Sequence, residues 1–559
     1  MGDRFAARSS ARVLRAGRAP VSDAPETART RVAGAPDSSK ARHLISGLRR
    51  RHERRRRLFP RALLVGAAVG LISSFFRAAV DRGEDLRAAL LARLHPHGGP
   101  GLLIFMMFGA TIVALAVLAV RRVAPAAAGS GIPNLKAVLH RARRMGGGSL
   151  IAVKFFGGAS AITAGLALGR EGPTIQMGGA LGSLLSRRLR STAHERQVLI
   201  AAGAGAGLAA AFNAPLAGLI FVLEEVQKNF APGVFTATFL ASVTADSVSR
   251  VLFGQRAVFP VASVAAPALS AIPLFAVLGV VAGLLAVAFN RGLLATLRSL
   301  DRFGTRGRVG FAALMGGSVA ALAWFDPGLV GGGGRLVELA ISGKGLVQVL
   351  LGTVLLRFVL TCASYGTGAP GGIFAPLLVL GSQTGLALGL VVAATAPTLG
   401  VAPAAWAIVG MAALFAGTVR APLTGIVLMI EMTESYSLML PLLVATFAAQ
   451  WVADLLREPP IYDALLQREL SGTADTQRPE GALMLELDVQ PGAPFAGGKV
   501  SEIGLPSGVL IIALERRGVD FVVSGATQLA VGDHLAITVS PEAAGALGLL
   551  RIGLGIDHA

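Results

Sequence analysis

Three short segments bring glycine, proline and polar residues into otherwise apolar surroundings. They are Gly129-Ser130-Gly131-Ile132-Pro133, Gly169-Arg170-Glu171-Gly172-Pro173 and Gly371-Gly372-Ile373-Phe374-Ala375-Pro376. Glycine lets a backbone approach a ligand closely, and proline suits the first turn of a following helix. A helix that starts there leaves N–H groups without partners, and these groups, with the helix dipole, attract anions. Each segment therefore reads as a loop presenting N–H donors to something negative; taken singly, each also reads as a tight turn between packed helices. Glu171 adds a titratable carboxylate, able to compete with an anion for a positive pocket and to carry a proton. Its alternative reading is a salt bridge to an arginine. A second acid, Glu225, ends the apolar run Phe212–Leu223 as part of Glu224-Glu225-Val226; the alternative there is a solvated helix-end charge. The 8 His are scattered, and no metal-ligand spacing, nucleophile triad or phosphate loop appears. Neither a metal, a cofactor nor an enzymatic reaction is expected.

The elements that must position these residues belong to a membrane protein. The 559 residues are 53% hydrophobic and only 15% charged, against roughly 25% charged in a soluble domain. Residues 1–61 hold 17 Lys and Arg against 5 Asp and Glu, a net of +12 out of the whole-chain +20. The rest is poor in charge, and apolar runs such as Leu102–Val120, Ala271–Phe289 and Leu377–Ala394 approach the roughly 20 residues that span a bilayer. The Arg-rich stretch Arg49–Arg57 precedes the first apolar run, and positive residues beside a first span stay inside. It places the N-terminus in the cytoplasm; the cell (inner) membrane is the expected location. Nucleic-acid binding is not expected, since the basic segment carries no motif for it; an organelle transit peptide is the other reading of its composition. The lone Cys362 excludes an intramolecular disulfide.

Comparison of the chain with itself reveals a repeat. Phe212-Asn213-Ala214-Pro215-Leu216-Ala217-Gly218 leads to Glu224, and Val419-Arg420-Ala421-Pro422-Leu423-Thr424-Gly425 leads to Glu431, at a constant offset of 207. Gly169–Pro173 aligns with Gly372–Pro376 at an offset of 203. Repeats of apolar segments broken by Gly and Pro characterise secondary transporters. Glu224 pairs with Glu431, which suggests a structural role for both, such as helix capping. Glu225 pairs with Met432, so the second acid is special to one half. The expected organisation is a basic disordered tail (1–60), a membrane domain (61–467, halves 61–265 and 266–467), a polar linker (468–481) and a small C-terminal domain (482–559). In that last domain, Ala482–Val489, Val509–Leu514, Asp520–Val523 and Leu535–Val539 read as strands.

With Lys154-Phe155-Phe156-Gly157-Gly158, Glu431-Met432-Thr433 and Pro460-Ile461-Tyr462, the glycine segments in this order resemble the CLC family of chloride channels and chloride/proton exchangers. The resemblance covers residues 61–467. It implies an all-α polytopic membrane fold: an inverted repeat with broken and tilted helices, assembled as a homodimer with an anion pathway in each subunit. It implies that the hydroxyls of Ser130 and Tyr462 and the backbone N–H groups of Ile373 and Phe374 hold a central chloride. Gly129, Gly131, Gly169, Arg170, Gly172, Gly372 and Ala375 supply supporting backbone. Glu171 matches the gating glutamate, and Glu225 matches the internal glutamate that passes protons in the exchangers. Chloride is then a bound substrate, and protons and the lipid bilayer are the other partners. The alternatives are a passive chloride channel of the same fold and, in another class, a sensory membrane protein with vestigial transport. Serine at 130 favours chloride among anions. Gly498–Pro506, Val509–Arg517 and Val531–Leu535 look like the C-terminal half of an RCK (TrkA-C) regulatory module, which implies a small α+β domain with a small-molecule or ion ligand, or a structural appendage without one. If the number of spans is even, this domain is cytoplasmic as well.

Overall fold

Apolar runs that end at glycine and proline fold into helices of very unequal length. In the computed structural model, which describes residues 38–228, 230–255, 258–261, 264–471, 483–516 and 519–556, the first half of the membrane domain contains α1 (Ser38–Leu94), α2 (Gly98–Val123), α3 (Ile132–Leu139), α4 (Gly148–Thr163), α5 (Glu171–Arg188), α6 (Ala193–Phe212), α7 (Pro215–Phe221) and α8 (Pro232–Phe253). A π-helical turn, Val222–Val226, extends α7. The second half contains α9 (Ile272–Leu300), α10 (Thr305–Phe325), α11 (Gly334–Ile341), α12 (Val347–Gly366), α13 (Phe374–Thr395), α14 (Pro403–Val419), α15 (Pro422–Thr433) and α16 (Met439–Leu455), followed by α17 (Ile461–Ser471). Helices α9, α10, α12 and α13 are long and apolar enough to cross a membrane. Helices α3, α7 and α11 are one to two turns long, and α3 is almost wholly buried. Broken backbone of this kind persists at membrane depth only when protein surrounds it.

Two boundaries differ from the sequence reading. The backbone of Ser38–Pro60 is helical where a disordered tail was expected; its Arg and Leu residues are good helix formers. The remainder of that tail, residues 1–37, lies outside the described residues. Helix α17 runs to Ser471, beyond the expected start of the linker at 468, and residues 472–482 lie outside the described residues.

The halves match element for element, α1–α8 with α9–α16, and their contacts repeat at the same offsets. Helices α5 and α6 cross at Gly178 and Gly203, where a β-carbon on either would lie 2.1 or 2.2 Å from the other's carbonyl oxygen. Helices α13 and α14 cross at Gly381 and Gly410 with the same intimacy, 2.5 and 2.3 Å. Small residues permit such approach between helices in membranes. Other contacts lie on the axis relating the halves, because a residue there meets its own mate. Gly109 and Gly316 face each other across α2 and α10. Gly169 N–H donates to Gly372 O (2.7 Å), and Gly372 N–H donates to Gly169 O (2.8 Å). The N-termini of α5 and α13 thus meet head to head. Helices that meet in this way run in opposite directions from their meeting point, which is what inverts one repeat relative to the other.

The C-terminal domain forms a four-stranded antiparallel sheet of order β1-β4-β2-β3, with β1 (Leu483–Asp488), β2 (Val509–Arg516), β3 (Val519–Phe521) and β4 (His534–Val539). Val509 and Ile511 of β2 and Leu535, Ile537 and Val539 of β4 alternate to bury one face, as strand periodicity requires, and an irregularity between Ile511 and Ala513 brings Leu514 to the same face. Leu550 of α18 (Leu547–Gly553) packs against them. Asp533, fully buried, accepts from Arg516 Nε (2.6 Å) and Nη2 (2.7 Å) and from Ala530 N–H (2.7 Å).

Candidate anion and proton site

The three glycine segments, far apart in sequence, are stitched into one backbone cluster. Besides the Gly169–Gly372 pair, Gly371 N–H donates to Gly129 O (2.9 Å). A β-carbon on Gly172 would lie 2.8 Å from Ser130 O and 3.1 Å from Gly372 Cα, so glycine is required for the three chains to close. Gly131 caps α3 with φ 79°, and its repeat mate Gly333 caps α11 with φ 80°. Both lie in the left-handed region, where a side chain costs energy. The N-termini of α3, α5 and α13, at Ile132, Glu171 and Phe374, therefore open into the same region, where helix-start N–H groups lack intrahelical acceptors.

A buried cation holds the loop before α3. Lys154 Nζ donates to Ala127 O (3.0 Å) and Gly129 O (2.7 Å). Its repeat mate on α12 is Arg357, also fully buried, which donates to Leu329 O (3.1 Å) and Gly331 O (2.9 Å). Each cation thus ties down two carbonyls two residues apart in the loop before an eight-residue helix. Only the first loop carries a hydroxyl, Ser130.

Ser130 is fully buried, and its Oγ accepts from Ile132 N–H (3.4 Å) and Tyr365 Oη (3.5 Å). Tyr365 Oη also accepts from Ser130 N–H (3.4 Å). Sequence reasoning passed over Tyr365, which sits in the apolar run of α12; the break at Gly368–Pro370 just beyond it was the available signal. Tyr462, near the start of α17, is fully buried, and its hydroxyl has no hydrogen-bond partner. It lies within electrostatic reach of Tyr365, Glu225 and Glu171. A buried hydroxyl without a partner is costly, and an anion is a natural acceptor for it. Ile373 and Phe374 are buried at the start of α13. The Phe374 ring packs against Phe212 (5.3 Å), Phe221 (6.3 Å) and Phe415 (4.4 Å) between ring centres, which fixes the backbone it belongs to.

Glu171 is 3% exposed and lines a cavity of about 480 Å³ together with Arg170, Asp81, Asn213, Gly333 and Ala375. Its Oε2 is buried without a hydrogen bond and stands over Gly169, whose β-carbon would lie 2.1 Å away. Arg170 ion-pairs with Asp81 (3.5 Å), and no arginine lies within ion-pair distance of Glu171 among the described residues. The salt-bridge reading of Glu171 is therefore set aside.

Glu224 and Glu431 cap each other's repeat. Glu431 accepts from the N–H groups of Leu216 (3.0 Å) and Ala217 (2.7 Å) at the start of α7. Glu224 accepts from those of Leu423 (3.0 Å) and Thr424 (2.8 Å), and from Thr424 Oγ1 (2.7 Å), at the start of α15. Charge-assisted bonds of this kind satisfy orphan donors and the helix dipole together, and they are the structural role that the pairing of the two acids suggests. Glu225 points elsewhere. It is 1% exposed, so it is not a solvated helix-end charge, and its Oε1 accepts from Lys136 Nζ of α3 (2.6 Å). Its Oε2 is buried and unpartnered. Lys136 Nζ also bonds Asp463 Oδ1, and Asp463 Oδ2 accepts from Lys228 Nζ (2.8 Å). Among the described residues, no group of three His, Cys, Asp or Glu is placed to hold a metal.

The chain as a whole is similar to known proteins. Residues 109–454 match the family model described as voltage gated chloride channel, and residues 484–549 match the TrkA-C domain. The chain is 40% identical over 415 residues to an H(+)/Cl(-) exchange transporter ClcA of Vibrio cholerae serotype O1, covering 73% of this chain and 89% of that one. It is 38% identical over 420 residues to a ClcA of Yersinia pseudotuberculosis serotype IB, with 73% and 88% covered. A solved slow cyanobacterial Cl-/H+ antiporter superposes with a TM-score of 0.71 at 35% identity, covering 75% of this chain and 99% of that one.

Proposed function

This chain belongs to the voltage gated chloride channel family, and we propose that it exchanges chloride for protons across a membrane, with Glu171 as the outer gate and Glu225 as the inner proton acceptor. The observation that carries this reading is the burial of two acids in the first repeat half, Glu171 at the start of α5 and Glu225 in the turn that extends α7, neither of which has an acidic mate in the second half. A passive anion pathway needs the N–H groups and hydroxyls; it does not need a second buried carboxylate at Glu225. Ser130, Tyr462 and the N–H groups of Ile373 and Phe374 are assigned to the central chloride, with Gly129, Gly131, Gly172 and Gly372 closing the backbone around it. Gly169, Arg170 and Ala375 frame the place of the Glu171 carboxylate. When ionised, that carboxylate occupies an anion position; protonated or displaced, it leaves the position to chloride. Chloride is substrate, and no resident cofactor takes part. We take the assembly to be a homodimer in the inner membrane with both termini cytoplasmic, and the TrkA-C domain to bind a small molecule or ion.

The test is the reversal potential of protein reconstituted in vesicles under an imposed pH gradient. Coupled exchange moves the potential away from the chloride equilibrium value; a potential indifferent to pH means a channel. Glu225→Gln is expected to abolish proton movement while chloride still flows, and Glu171→Gln to uncouple the two ions. Loss of both fluxes in either variant counts against these assignments.

A further inference from the structure

Lys136, Asp463 and Lys228 are charged groups that the reading above leaves unused, and they lie in line. Exposure of the side chains rises from Glu225 (1%) and Lys136 (2%) to Asp463 (27%) and Lys228 (51%). The line therefore runs from solvent to a buried acid through groups in hydrogen-bond contact at every step. One ammonium is shared by two carboxylates, a geometry that a single structural ion pair does not need. Burying Lys136 between them is costly unless both bonds are kept. Asp463 adjoins Tyr462 in α17, and Lys136 belongs to the helix that begins beside Ser130.

Resting on the antiport reading, we infer that Asp463 is the solvent-facing proton carrier of the inner pathway, and that Lys136 passes its proton to Glu225. Asp463 takes a proton from water. Lys136 Nζ gives one of its protons to Glu225 Oε1 and receives the proton of Asp463. One N–H bond breaks and another forms, Asp463 returns to carboxylate, Lys136 remains an ammonium and Glu225 becomes the acid. No oxidant or further reactant is required. Glu225 Oε2, buried and free of partners, is the oxygen left to hand the proton onward. The other titratable groups around the line are His140, at the end of α3, and Tyr462; Lys228 holds the outer oxygen of Asp463 in place.

The experiment compares the whole protein with Asp463→Asn and Asp463→Glu in vesicles, recording chloride and proton fluxes together at several pH values on the α17 side. The wild type must first pump protons under a chloride gradient; if it does not, the antiport reading fails, and this inference falls with it. Given a coupled wild type, Asp463→Asn is expected to slow proton flux by about a hundredfold or more, the low side of what a positioned proton carrier contributes, while chloride still flows. Asp463→Glu restores proton flux. The inference is overturned if Asp463→Asn keeps the wild-type proton-to-chloride ratio at every pH. It is equally overturned if both fluxes fall together in both variants, which marks the cluster as a clamp between α3 and α17.

Discussion

Gly169 offers a way to move the Glu171 carboxylate, proposed above as the gate, without altering it. Its φ lies outside the left-handed region, so alanine there carries no backbone strain. The new β-carbon would stand 2.1 Å from Glu171 Oε2, while its next neighbours, Ala375 Cβ and N, are 3.1 Å away and need yield only a few tenths of an ångström. Ordinary contact begins at 3.4 Å, so the carboxylate must retreat by about 1.3 Å. Overpacking of this size costs about 1–3 kcal/mol, which lowers occupancy of the gate position by between about fivefold and about 150-fold. If Glu171 is the gate, chloride flux in the wild type rises on acidification, as the protonated side chain leaves. Gly169→Ala is then expected to raise flux near neutral pH towards the acid value, flatten the pH profile and lower the proton-to-chloride ratio. The assay is chloride efflux from vesicles at several pH values, with Glu171→Gln as the fully open reference. An unchanged pH profile, or chloride flux lost outright, refutes the assignment. Gly172→Ala is the contrast: its β-carbon meets backbone at 2.8–3.1 Å, which cannot swing aside, so chloride binding and stability fall instead.

Other outcomes follow from the same contacts. Lys154→Met strips Ala127 O of its donor while Gly129 O keeps Gly371 N–H, and Arg357→Met strips both Leu329 O and Gly331 O; at about 1–3 kcal/mol per unpaired group both should lower thermal stability, Arg357→Met more, whereas calorimetric chloride binding should weaken far more for Lys154→Met, because only its loop carries Ser130. Tyr365→Phe removes one donor to Ser130 and should change chloride affinity by between about twofold and about tenfold, measured by the same titration. Glu224→Gln and Glu431→Gln should each destabilise the protein by about 1.5–3 kcal/mol, nearly additively in the double variant, with coupling retained. In the C-terminal domain, burial works to raise the Asp533 carboxyl, but the bonds from Arg516 and Ala530 N–H outweigh it and hold it below its ordinary value. The stability it contributes is complete above about pH 4, the unfolded value, and is lost as pH falls through its lower folded value. Asp533→Asn should remove that acid sensitivity, read by protease cleavage of the domain across pH.

Much of this was legible because the repeat is written in the sequence. The offsets of 203 and 207 fixed which residues are mates, and the residues on the axis proved to be mates in contact: Gly169 with Gly372, and Glu224 and Glu431 through each other's helices. Lys154 and Arg357 were open to the same comparison, as two cations at an offset of 203 in apolar runs, but only Lys154 stood inside a motif. The partnership of Lys136 with Glu225 and Asp463 was not legible. These residues are 89 and 327 positions from Lys136, and a lysine two positions after Asn134 reads as an ordinary helix-surface charge. Helix α1 was misjudged at its start because charge was read as disorder, although arginine and leucine are good helix formers. The strands of the C-terminal domain were placed to within a few residues, since alternation of apolar and polar residues is enough to set a half-buried strand.

The contacts along the pseudo-twofold axis also bear on how access can alternate. If the halves rocked apart as rigid bodies, the carboxylate bonds of Glu224 and Glu431 to four backbone N–H groups would open. At about 1.5–3 kcal/mol for each bond to a charged group, that costs about 6–12 kcal/mol. The reciprocal Gly169–Gly372 pair and the Gly371–Gly129 bond would break as well, with no water in the bilayer core to replace them. Conformations that proteins exchange between in function differ by only a few kcal/mol. A side chain that turns about its own bonds gives up far less. Glu171 is such a side chain: its Oε2 makes no hydrogen bond, and it borders an open cavity. This cost favours halves tied as a fixed frame, with movement carried by side chains at its centre. A disulfide-free crosslink between α2 and α10, near the facing Gly109 and Gly316, should leave chloride flux within about twofold, whereas a rocking mechanism would be arrested by it.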